Sequence, residues 1–359
     1  MAISEEEQLI LNSAEAGTIA EGTVLRAGGG VYEVDVRGGA GASNSISGLN
    51  HEVFLCTPRG ILKKGRRETS QPVAVGDRVR IRILETSGAT LKGTRVREGS
   101  IEEILPRKSV LARSRHNKTA QVTMANLDQC VVAMALRDPD LNLHRLDRFL
   151  VLAEAAGLEA LIVLNKTDLV PRRTLPKEIE EVRSLYEPLG YRVFAASAHK
   201  TDGIAALREA FAGHIIAFVG SSGVGKSSLV NAIQPGLRLY VGDVMEIGKG
   251  RHTTTDVSLH PLSGGGYLAD TPGVKTVSLL AAQDLDLAQC FPEIRERSNG
   301  CKFNDCTHTR EPGCAIRAAA ESGEIAATRF ASYEKIFAEI EALPPHLKWD
   351  TPFSFDGAF

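Results

Sequence analysis

The sequence predicts a multidomain α+β protein with a small N-terminal β-domain, a central α/β domain and a C-terminal α-rich domain. Three observations predict this. Short β-branched segments separated by Gly-rich turns fill the N-terminal part, apolar strands alternate with helical patterns in the middle, and cysteines cluster near the end. The length of 359 residues suits two or three domains, because single hydrophobic cores stop growing beyond about 250 to 300 residues.

The N-terminal domain is predicted over residues 18–105. Segments such as TIAEGTVLRA, VYEVDVR and DRVRIRIL are separated by turn signals, which favours a small antiparallel barrel or sandwich. The preceding residues, 1–17, are acidic where a secretory signal would be basic and then apolar, so we interpret them as an N-terminal tail. No apolar run approaches the roughly 20 residues that span a bilayer. We therefore expect a cytoplasmic protein with no membrane partner.

The central domain is predicted over residues 106–286. Strand candidates such as QCVVAMAL, ALIVLN, YRVFAA and HIIAFVG alternate with helical patterns such as HRLDRFLVLAEAAG and GIAALREAFAG. Near-continuous apolar strands that alternate with helices indicate a mostly parallel sheet covered on both faces. The remaining residues, 287–359, contain the cysteine cluster and a helical stretch, ESGEIAATRFASYEKIFAEIEAL.

A phosphate-binding motif follows one of these strands. GSSGVGKS matches G-x-x-x-x-G-K-[ST] between the strand HIIAFV and the helical segment KSSLVNAI, a context that makes a chance Gly-rich turn a poor alternative. Lys226 would reach the β- and γ-phosphates and act in catalysis, and Ser227 would bind Mg²⁺. The predicted phosphate-site residues are Gly220, Ser221, Ser222, Gly223, Val224, Gly225, Lys226, Ser227 and Ser228.

Two later segments fit a nucleoside triphosphate and its metal ion. In DTPG, directly after the strand GYLA, Asp270 can hold Mg²⁺ through water and the Gly273 amide can contact the γ-phosphate, although the same tetrapeptide is a good turn. Between the motifs, GKGRHTTTD is a polar loop of the kind that a γ-phosphate orders. We choose Thr254 as the Mg²⁺-binding switch threonine. Thr253 and a plain solvated loop are the alternatives.

The base is predicted from NKTD, which ends the strand ALIVL. Asp168 can accept hydrogen bonds from N1 and N2 of guanine, a pattern that adenine does not offer, and an unpaired buried acceptor costs about 1–3 kcal/mol. Asn165 would bind the base edge and brace the phosphate loop, and the Ala198 amide could meet the guanine carbonyl. The predicted base-site residues are Asn165, Lys166, Thr167, Asp168, Ser197 and Ala198. The sequence therefore predicts GTP and GDP as ligands.

The order of these motifs is rotated. In usual GTPases the phosphate loop and DxxG come before NKxD, whereas here NKTD begins at residue 165 and the phosphate loop at 220. Joining the usual ends of the domain near residue 212 and opening it after DTPG restores the usual arrangement. The central domain is therefore predicted to be a circularly permuted P-loop α/β G domain.

The cysteine cluster predicts a closed metal site. CKFNDCTHTREPGC supplies three thiolates and one imidazole, a ligand set typical of structural Zn²⁺, with free structural thiols as the alternative. Cys56, Cys130 and Cys290 lie in apolar contexts and are expected to be buried small hydrophobes. The predicted zinc ligands are Cys301, Cys306, His308 and Cys314.

Taken together, the order NKTD, SA, GSSGVGKSS, GRHTTT and DTPG, followed by the Cys-Cys-His-Cys cluster, resembles the bacterial small-ribosomal-subunit-dependent GTPases. This resemblance covers about residues 18–340. It implies an OB-like β-barrel at the N-terminus, binding to the 30S subunit and its 16S rRNA, assistance in late subunit maturation, and hydrolysis that the subunit stimulates and that is coupled to release. We expect the protein to act as a monomer.

Charge and catalysis add two expectations. The chain has a formal net charge of -2, yet residues 59–118 carry 16 Lys and Arg against 6 Asp and Glu, which suits RNA contact or, alternatively, an ordinary solvated face. Val274 occupies the position where many GTPases carry a water-orienting Gln, so intrinsic turnover should be slow. His252 is our hypothesis for the catalytic residue, with a solvated loop histidine as the alternative. A metabolic or transport NTPase and a GTP-regulated RNA-binding module are the competing functions.

Overall fold

The computed structural model describes residues 18–37, 51–59, 73–91, 94–113, 121–237, 257–270 and 286–342. The chain divides into two compact units. The first takes the described parts of Met1–Asn126 and Asp256–Ser263, and the second takes those of Leu127–Thr255 and Gly264–Phe359. The cysteine cluster thus lies in the same unit as the phosphate loop.

The first unit is built on a closed barrel with the order β1-β2-β3-β5-β4. Its strands are β1 (Ile19–Gly28), β2 (Val31–Arg37), β3 (His51–Pro58), β4 (Arg78–Leu91) and β5 (Thr94–Ile104). β3 and β5 are parallel, while β1 closes the barrel by antiparallel pairing with β4. This order is that of an OB fold, which confirms the OB-like β-barrel and decides between the barrel and the sandwich.

Alternating residues of the barrel strands fill its interior. Val24, Val34, Val79, Ile81 and Ile101 are completely buried, as period-2 strands with one inward face require. A two-stranded hairpin follows the barrel, formed by β6 (Val110–Arg113) and β7 (Gln121–Ala125).

A buried ion pair fastens the segment before this hairpin to the barrel. The carboxylate of Asp77, which is wholly buried, lies 2.6 and 2.7 Å from two nitrogens of Arg107. Asp77 also accepts a hydrogen bond from the Ala74 amide. Since both oxygens have partners, the burial of this charge is compensated.

The second unit contains a parallel sheet with the strand order β10-β9-β8-β11-β13. These strands are β8 (Gln129–Ala135), β9 (Glu159–Asn165), β10 (Arg192–Ala195), β11 (Ile215–Val219) and β13 (Tyr267–Asp270); β12 (Ser258–Pro261) precedes β13 in the chain. Every residue of β8 is buried, as expected for a central strand of a covered sheet.

Helices connect these strands and form the C-terminal part. They are α1 (Leu143–Ala155), α2 (Leu175–Tyr186), α3 (Ile204–Phe211), α4 (Lys226–Ile233), the single-turn α5 (Pro292–Arg295), α6 (Ala315–Ser322) and α7 (Ala327–Ala342). In α1, the side chain of Asn142 accepts a hydrogen bond from the Arg145 amide and caps the first turn. Among the described helices, none is long and apolar enough to cross a membrane.

The sheet order and the chain order disagree in a specific way. The strand that precedes the phosphate loop, β11, lies between β8 and β13, although β8, β9 and β10 come before it in the chain. Helix α3 ends at Phe211 and β11 begins at Ile215, so a short turn makes the connection. In that turn the His214 amide bonds to the Phe211 carbonyl at 3.2 Å. This short link agrees with the predicted joining of the usual domain ends near residue 212.

A buried ion network connects α7 to α1 and α5. Arg329 is 2% exposed and bonds to Asp147 of α1 at 2.6 Å and to Glu293 of α5 at 2.7 Å. The hydroxyl of Tyr186 donates to Asp147 at 2.7 Å. We call these four residues the C-terminal junction. Burial opposes the charged form of Arg329, but the two carboxylates outweigh it and raise its pKa.

The cysteines outside the cluster are buried, as predicted. Cys56 lies in the barrel core, Cys130 in β8 and Cys290 beside α5. Burial raises the pKa of each thiol to about 12, so all three remain neutral at physiological pH.

Candidate functional site

The phosphate loop lies between β11 and α4, where its glycines adopt backbone conformations that other residues avoid. Gly220 has a φ of +145°, and a Cβ built on it would lie 2.2 Å from the Ala133 carbonyl oxygen. Gly225 has a φ of +88°, and a Cβ there would lie 2.5 Å from the side-chain nitrogen of Asn165. The loop therefore depends on glycine for its close approach to the backbone of β8 and to the Asn165 side chain at the end of β9.

Lys226 begins α4 and folds back over the phosphate loop. Its ammonium donates hydrogen bonds to the carbonyls of Gly220 and Ser221, each at 2.8 Å. The positive charge thus lies at the opening of the loop, beside the N-terminus of α4. An anion placed there would meet the lysine, the loop amides and the positive end of the helix.

Asn165 joins three loops. It is the last residue of β9 and is 1% exposed. Its side-chain nitrogen donates to the Val224 carbonyl of the phosphate loop at 2.8 Å, and its side-chain oxygen accepts from the Ala198 amide at 3.3 Å. One amide therefore holds the phosphate loop, the NKTD segment and the Ser-Ala segment in a fixed arrangement.

Asp168 and Ser197 form the neighbouring contact. The Ser197 hydroxyl donates to one carboxylate oxygen of Asp168 at 2.5 Å, and the same hydroxyl accepts from the Lys200 amide at 3.0 Å. Ser197 is completely buried, whereas Asp168 is half-buried. The hydrogen bond from Ser197 is the main cause that lowers the pKa of Asp168. An ionised carboxylate at the surface of the loop can accept two parallel N–H groups. We call Asn165, Asp168 and Ser197 the base corner.

Lys166 and Thr167 lie between Asn165 and Asp168 in the chain. Lys166 has a left-handed backbone, and its ammonium contacts the carbonyl oxygen of Asp138. The Asp138 carboxylate lies 3.5 Å from the same nitrogen. Thr167 is buried, and its amide donates to the Ala196 carbonyl at 3.3 Å.

Of the remaining residues predicted to bind the nucleotide or its metal ion, some lie in the described part of the chain and others do not. Asp270 ends β13, which runs parallel to β11, so it lies at the same edge of the sheet as the phosphate loop. Ser227 and Ser228 lie in the first turn of α4. The predictions for His252, Thr254 and Gly273 fall outside the described residues.

The four predicted metal ligands lie together in the C-terminal part. Their ligand atoms are all within 4.8 Å of one another. Nδ1 of His308 lies 3.4 Å from the Cys301 sulfur and 3.5 Å from the Cys314 sulfur, and these two sulfurs are 3.9 Å apart. A tetrahedral zinc ion with ordinary bond lengths requires edges of about 3.6 Å for N–S and about 3.8 Å for S–S. The residues therefore fit a structural metal ion of this type.

Comparison with known proteins supports the same interpretation. The sequence model of the RsgA GTPase family matches residues 104–280. A small ribosomal subunit biogenesis GTPase RsgA from Gemmatimonas aurantiaca is 41% identical over 329 residues, which cover 90% of this chain and 98% of the relative. Its counterpart in Moorella thermoacetica is 38% identical over 324 residues, with the same coverage. The chain belongs to the RsgA GTPase family.

Solved structures agree with this assignment. The crystal structure of YjeQ from Thermotoga maritima matches with a TM-score of 0.68 and 32% identity, over 91% of this chain and 100% of that one. The crystal structure of YloQ, a circularly permuted GTPase, matches with a TM-score of 0.67 and 30% identity, over 91% and 97%. This RsgA family member is thus a GTP-hydrolysing enzyme, and the predicted family, fold class and permutation are confirmed.

Two structural features of the RsgA family member were missed from the sequence. Glu311 lies inside the cysteine cluster and bonds to the turn that carries His308. Arg329 holds the C-terminal junction together. A signal for Glu311 existed, since it is an acidic residue between two predicted ligands, His308 and Cys314, and it follows the segment Thr-His-Thr closely. The sequence offered no comparable signal for Arg329, which lies within an ordinary helical pattern.

Proposed function

We propose that this protein is a GTP hydrolase that binds the small (30S) ribosomal subunit and assists its late maturation, with hydrolysis stimulated by the subunit and coupled to release. The observation that carries the nucleotide part is the base corner, where Asn165 bonds to the phosphate loop at 2.8 Å and Asp168 presents an ionised carboxylate. The names of the relatives, small ribosomal subunit biogenesis GTPases, support the partner.

In this proposal GTP binds along the carboxyl edge of the parallel sheet. Asp168 accepts the guanine N1 and N2 hydrogens, and the Ala198 amide meets the guanine carbonyl. The residues from Gly220 to Ser228 surround the phosphates, with Lys226 on the β- and γ-phosphates. Mg²⁺, when bound, neutralises developing charge on these phosphates. The residues proposed to hold it are Ser227, Thr254 and Asp270, with Gly273 as a γ-phosphate contact.

The catalytic water has no Gln to orient it at the position after the DxxG glycine, because Val274 stands there. We assign this role to His252, supplied when the subunit is bound. The test is His252→Ala, measured as phosphate release at saturating 30S. The proposal expects a loss of at least tenfold in stimulated turnover with unchanged GDP affinity. Unchanged stimulated turnover would show that His252 is not the catalytic residue.

The proposed RNA-binding surface is the OB barrel. In the structure, several of its positive charges are paired with carboxylates. Exposed arginines of the barrel take part in ion pairs, among them Arg78 with Glu21 at 3.1 Å and Arg80 with Glu103 at 2.6 Å. Exposed pairs of this kind contribute little stability, so their arginines can exchange a carboxylate for an rRNA phosphate. Much of the positive excess of residues 59–118 lies outside the described residues.

Phosphate release from GTP, with and without purified 30S subunits, tests the function directly. We expect slow hydrolysis alone, a rise of at least tenfold with 30S, and no response to ATP. Co-sedimentation with 30S should require GTP and disappear after hydrolysis. GTP-dependent sedimentation without stimulated turnover would instead indicate a GTP-regulated RNA-binding module. Absence of both would point to a metabolic NTPase.

Three further assignments accompany this proposal. The Cys-Cys-His-Cys cluster holds one structural Zn²⁺, since the distances among the ligand atoms of Cys301, His308 and Cys314 match a tetrahedral site and four protein ligands leave no position open. The protein acts in the cytoplasm as a monomer. Elemental analysis of the purified protein and light scattering test the zinc and the monomer.

A further inference from the structure

The turn that carries the metal-ligating histidine has an unusual backbone. His308 has a φ of +62°, a left-handed conformation that costs a residue with a side chain roughly 1–2 kcal/mol. His308 is 3% exposed, and its Nδ1 lies within 3.5 Å of the sulfurs of Cys301 and Cys314. Because the ligand direction depends on this conformation, something must hold the turn in place.

The carboxylate of Glu311 bonds to the residues on both sides of His308. One of its oxygens accepts from the Thr307 amide at 2.9 Å and from the Thr307 hydroxyl at 2.6 Å. The other oxygen accepts from the amides of Thr309 at 3.1 Å and Arg310 at 3.0 Å. Three backbone amides that flank a left-handed residue thus converge on one anion, as in the backbone nests that bind phosphate.

The environment keeps this carboxylate charged. The hydrogen bond from Thr307 is the first of several that lower the pKa of Glu311 to about 2. From the other side, the hydroxyl of Tyr333 in α7 donates to the Thr307 carbonyl at 2.8 Å. The turn is therefore held by Glu311 on one side and by the C-terminal helix on the other.

We propose that Glu311 is a positioning residue of the metal site, whose carboxylate holds the Thr307–Arg310 turn and so fixes His308 in its ligand geometry. Glu311 is not itself among the ligand atoms that cluster. Glu311 holds the turn in its ligand geometry before the ion binds. The site therefore loses less conformational entropy on binding, and its affinity for the metal rises. This inference concerns the metal site alone and does not depend on the proposed GTPase cycle.

Chelator competition on the full-length, zinc-loaded protein tests the proposal. Glu311→Gln keeps the size of the side chain but replaces one accepting oxygen with an amide that faces two donors. We expect it to release Zn²⁺ at a 10- to 100-fold lower concentration of a chromophoric chelator than the wild type. Glu321→Gln is the matched control, because Glu321 is an exposed residue of α6 in the same part of the chain. It should behave like the wild type within twofold.

The spectrum of the cobalt-substituted protein separates positioning from a general loss of fold. In Glu311→Gln we expect the d–d bands, which report ligand geometry, to shift while thiolate-to-cobalt charge transfer and GDP affinity remain. If Glu311→Gln fails to fold, Thr307→Val removes one donor to the same carboxylate and should weaken zinc retention several-fold. Zinc retention within twofold of the wild type and an unchanged cobalt spectrum in either soluble variant would overturn the proposal.

Discussion

The base corner and the C-terminal junction use similar side chains for opposite purposes. Both place an aspartate next to a hydroxyl donor, Ser197 for Asp168 and Tyr186 for Asp147. In the junction, Asp147 is wholly buried and Arg329 supplies the compensating charge at 2.6 Å. In the base corner, Asp168 stays half-buried.

Burial explains this difference. A carboxylate that is removed from water must find a cation within the protein, and it then fastens the elements that carry the two charges. A carboxylate at the end of a strand keeps its hydration and needs only a hydrogen bond to hold its orientation, so it can still accept a ligand. The junction therefore acts as a fixed connection, whereas the base corner is suited to the recognition role that we propose for it.

The strongest way to break this comparison is Arg329→Leu. The substitution leaves Asp147 and Glu293 buried without their cation, and we expect the free energy of unfolding to fall by about 3–5 kcal/mol. Urea denaturation of the zinc-loaded protein measures this loss. Arg192→Leu is the control, because Arg192 pairs with Glu159 in an exposed position, and a change below about 0.5 kcal/mol is expected. A loss below about 1 kcal/mol for Arg329→Leu would mean that the junction is not a fixed connection.

Asp168→Asn tests recognition with the next largest effect. It removes two charge-assisted hydrogen bonds to guanine, and we expect GDP affinity to fall about 100-fold while stability changes little. The new amide can donate to a base that carries a carbonyl instead of the exocyclic amine, so xanthosine diphosphate should bind better than GDP. Isothermal titration calorimetry with both nucleotides measures this change in preference. If both nucleotides bind equally weakly, Asp168 does not read the base.

Ser197→Ala should have a smaller effect. It removes the hydrogen bond that orients Asp168 and lowers its pKa, and we expect GDP affinity at pH 7 to fall about 5- to 10-fold. Base recognition requires the ionised carboxylate, so affinity is present above the pKa of Asp168 and is lost as pH falls through it. Because the substitution raises that pKa, the acid limb of the affinity profile should move to higher pH.

The control for Ser197→Ala is Ser184→Ala, which removes an exposed hydroxyl that bonds to a carbonyl of its own helix, α2. It should leave both the affinity and the pH profile unchanged. A profile for Ser197→Ala that coincides with the wild type would show that the hydroxyl does not control the charge of Asp168.

The junction also bears on how the C-terminal part could move. The rotated motif order suggests that nucleotide state could reorient the C-terminal part, because the chain passes to it directly after DTPG. The buried contacts of Arg329 with α1 make an independent rotation costly. A conformational signal that reaches this part is thus expected to move α1 and α7 together, which Arg329→Leu would uncouple.

Much of the candidate site could be predicted from the sequence because its residues are contiguous. The GSSGVGKS and NKTD motifs each fall at the end of an apolar strand, and parallel strands bring such ends to one edge of a sheet. The roles of residues 248–256 stay predictions. The hairpin β6–β7 and helix α6 were missed, because the hairpin strands are short and α6 begins directly after the predicted ligand Cys314.

The amino-acid sequence by itself determined the class of nucleotide, the rotated order of the G domain and the Cys-Cys-His-Cys set that the structure brings together. Each of these follows from residue types at short spacings, where local backbone geometry fixes the chemistry. Only the tertiary structure decided that the N-terminal strands close into a barrel, that Arg329 unites Asp147 with Glu293, and that Glu311 holds the turn of His308. These features depend on pairing between strands and on how buried charges find partners across distant segments. The packing of distant segments determines these partners, and their spacing along the chain does not.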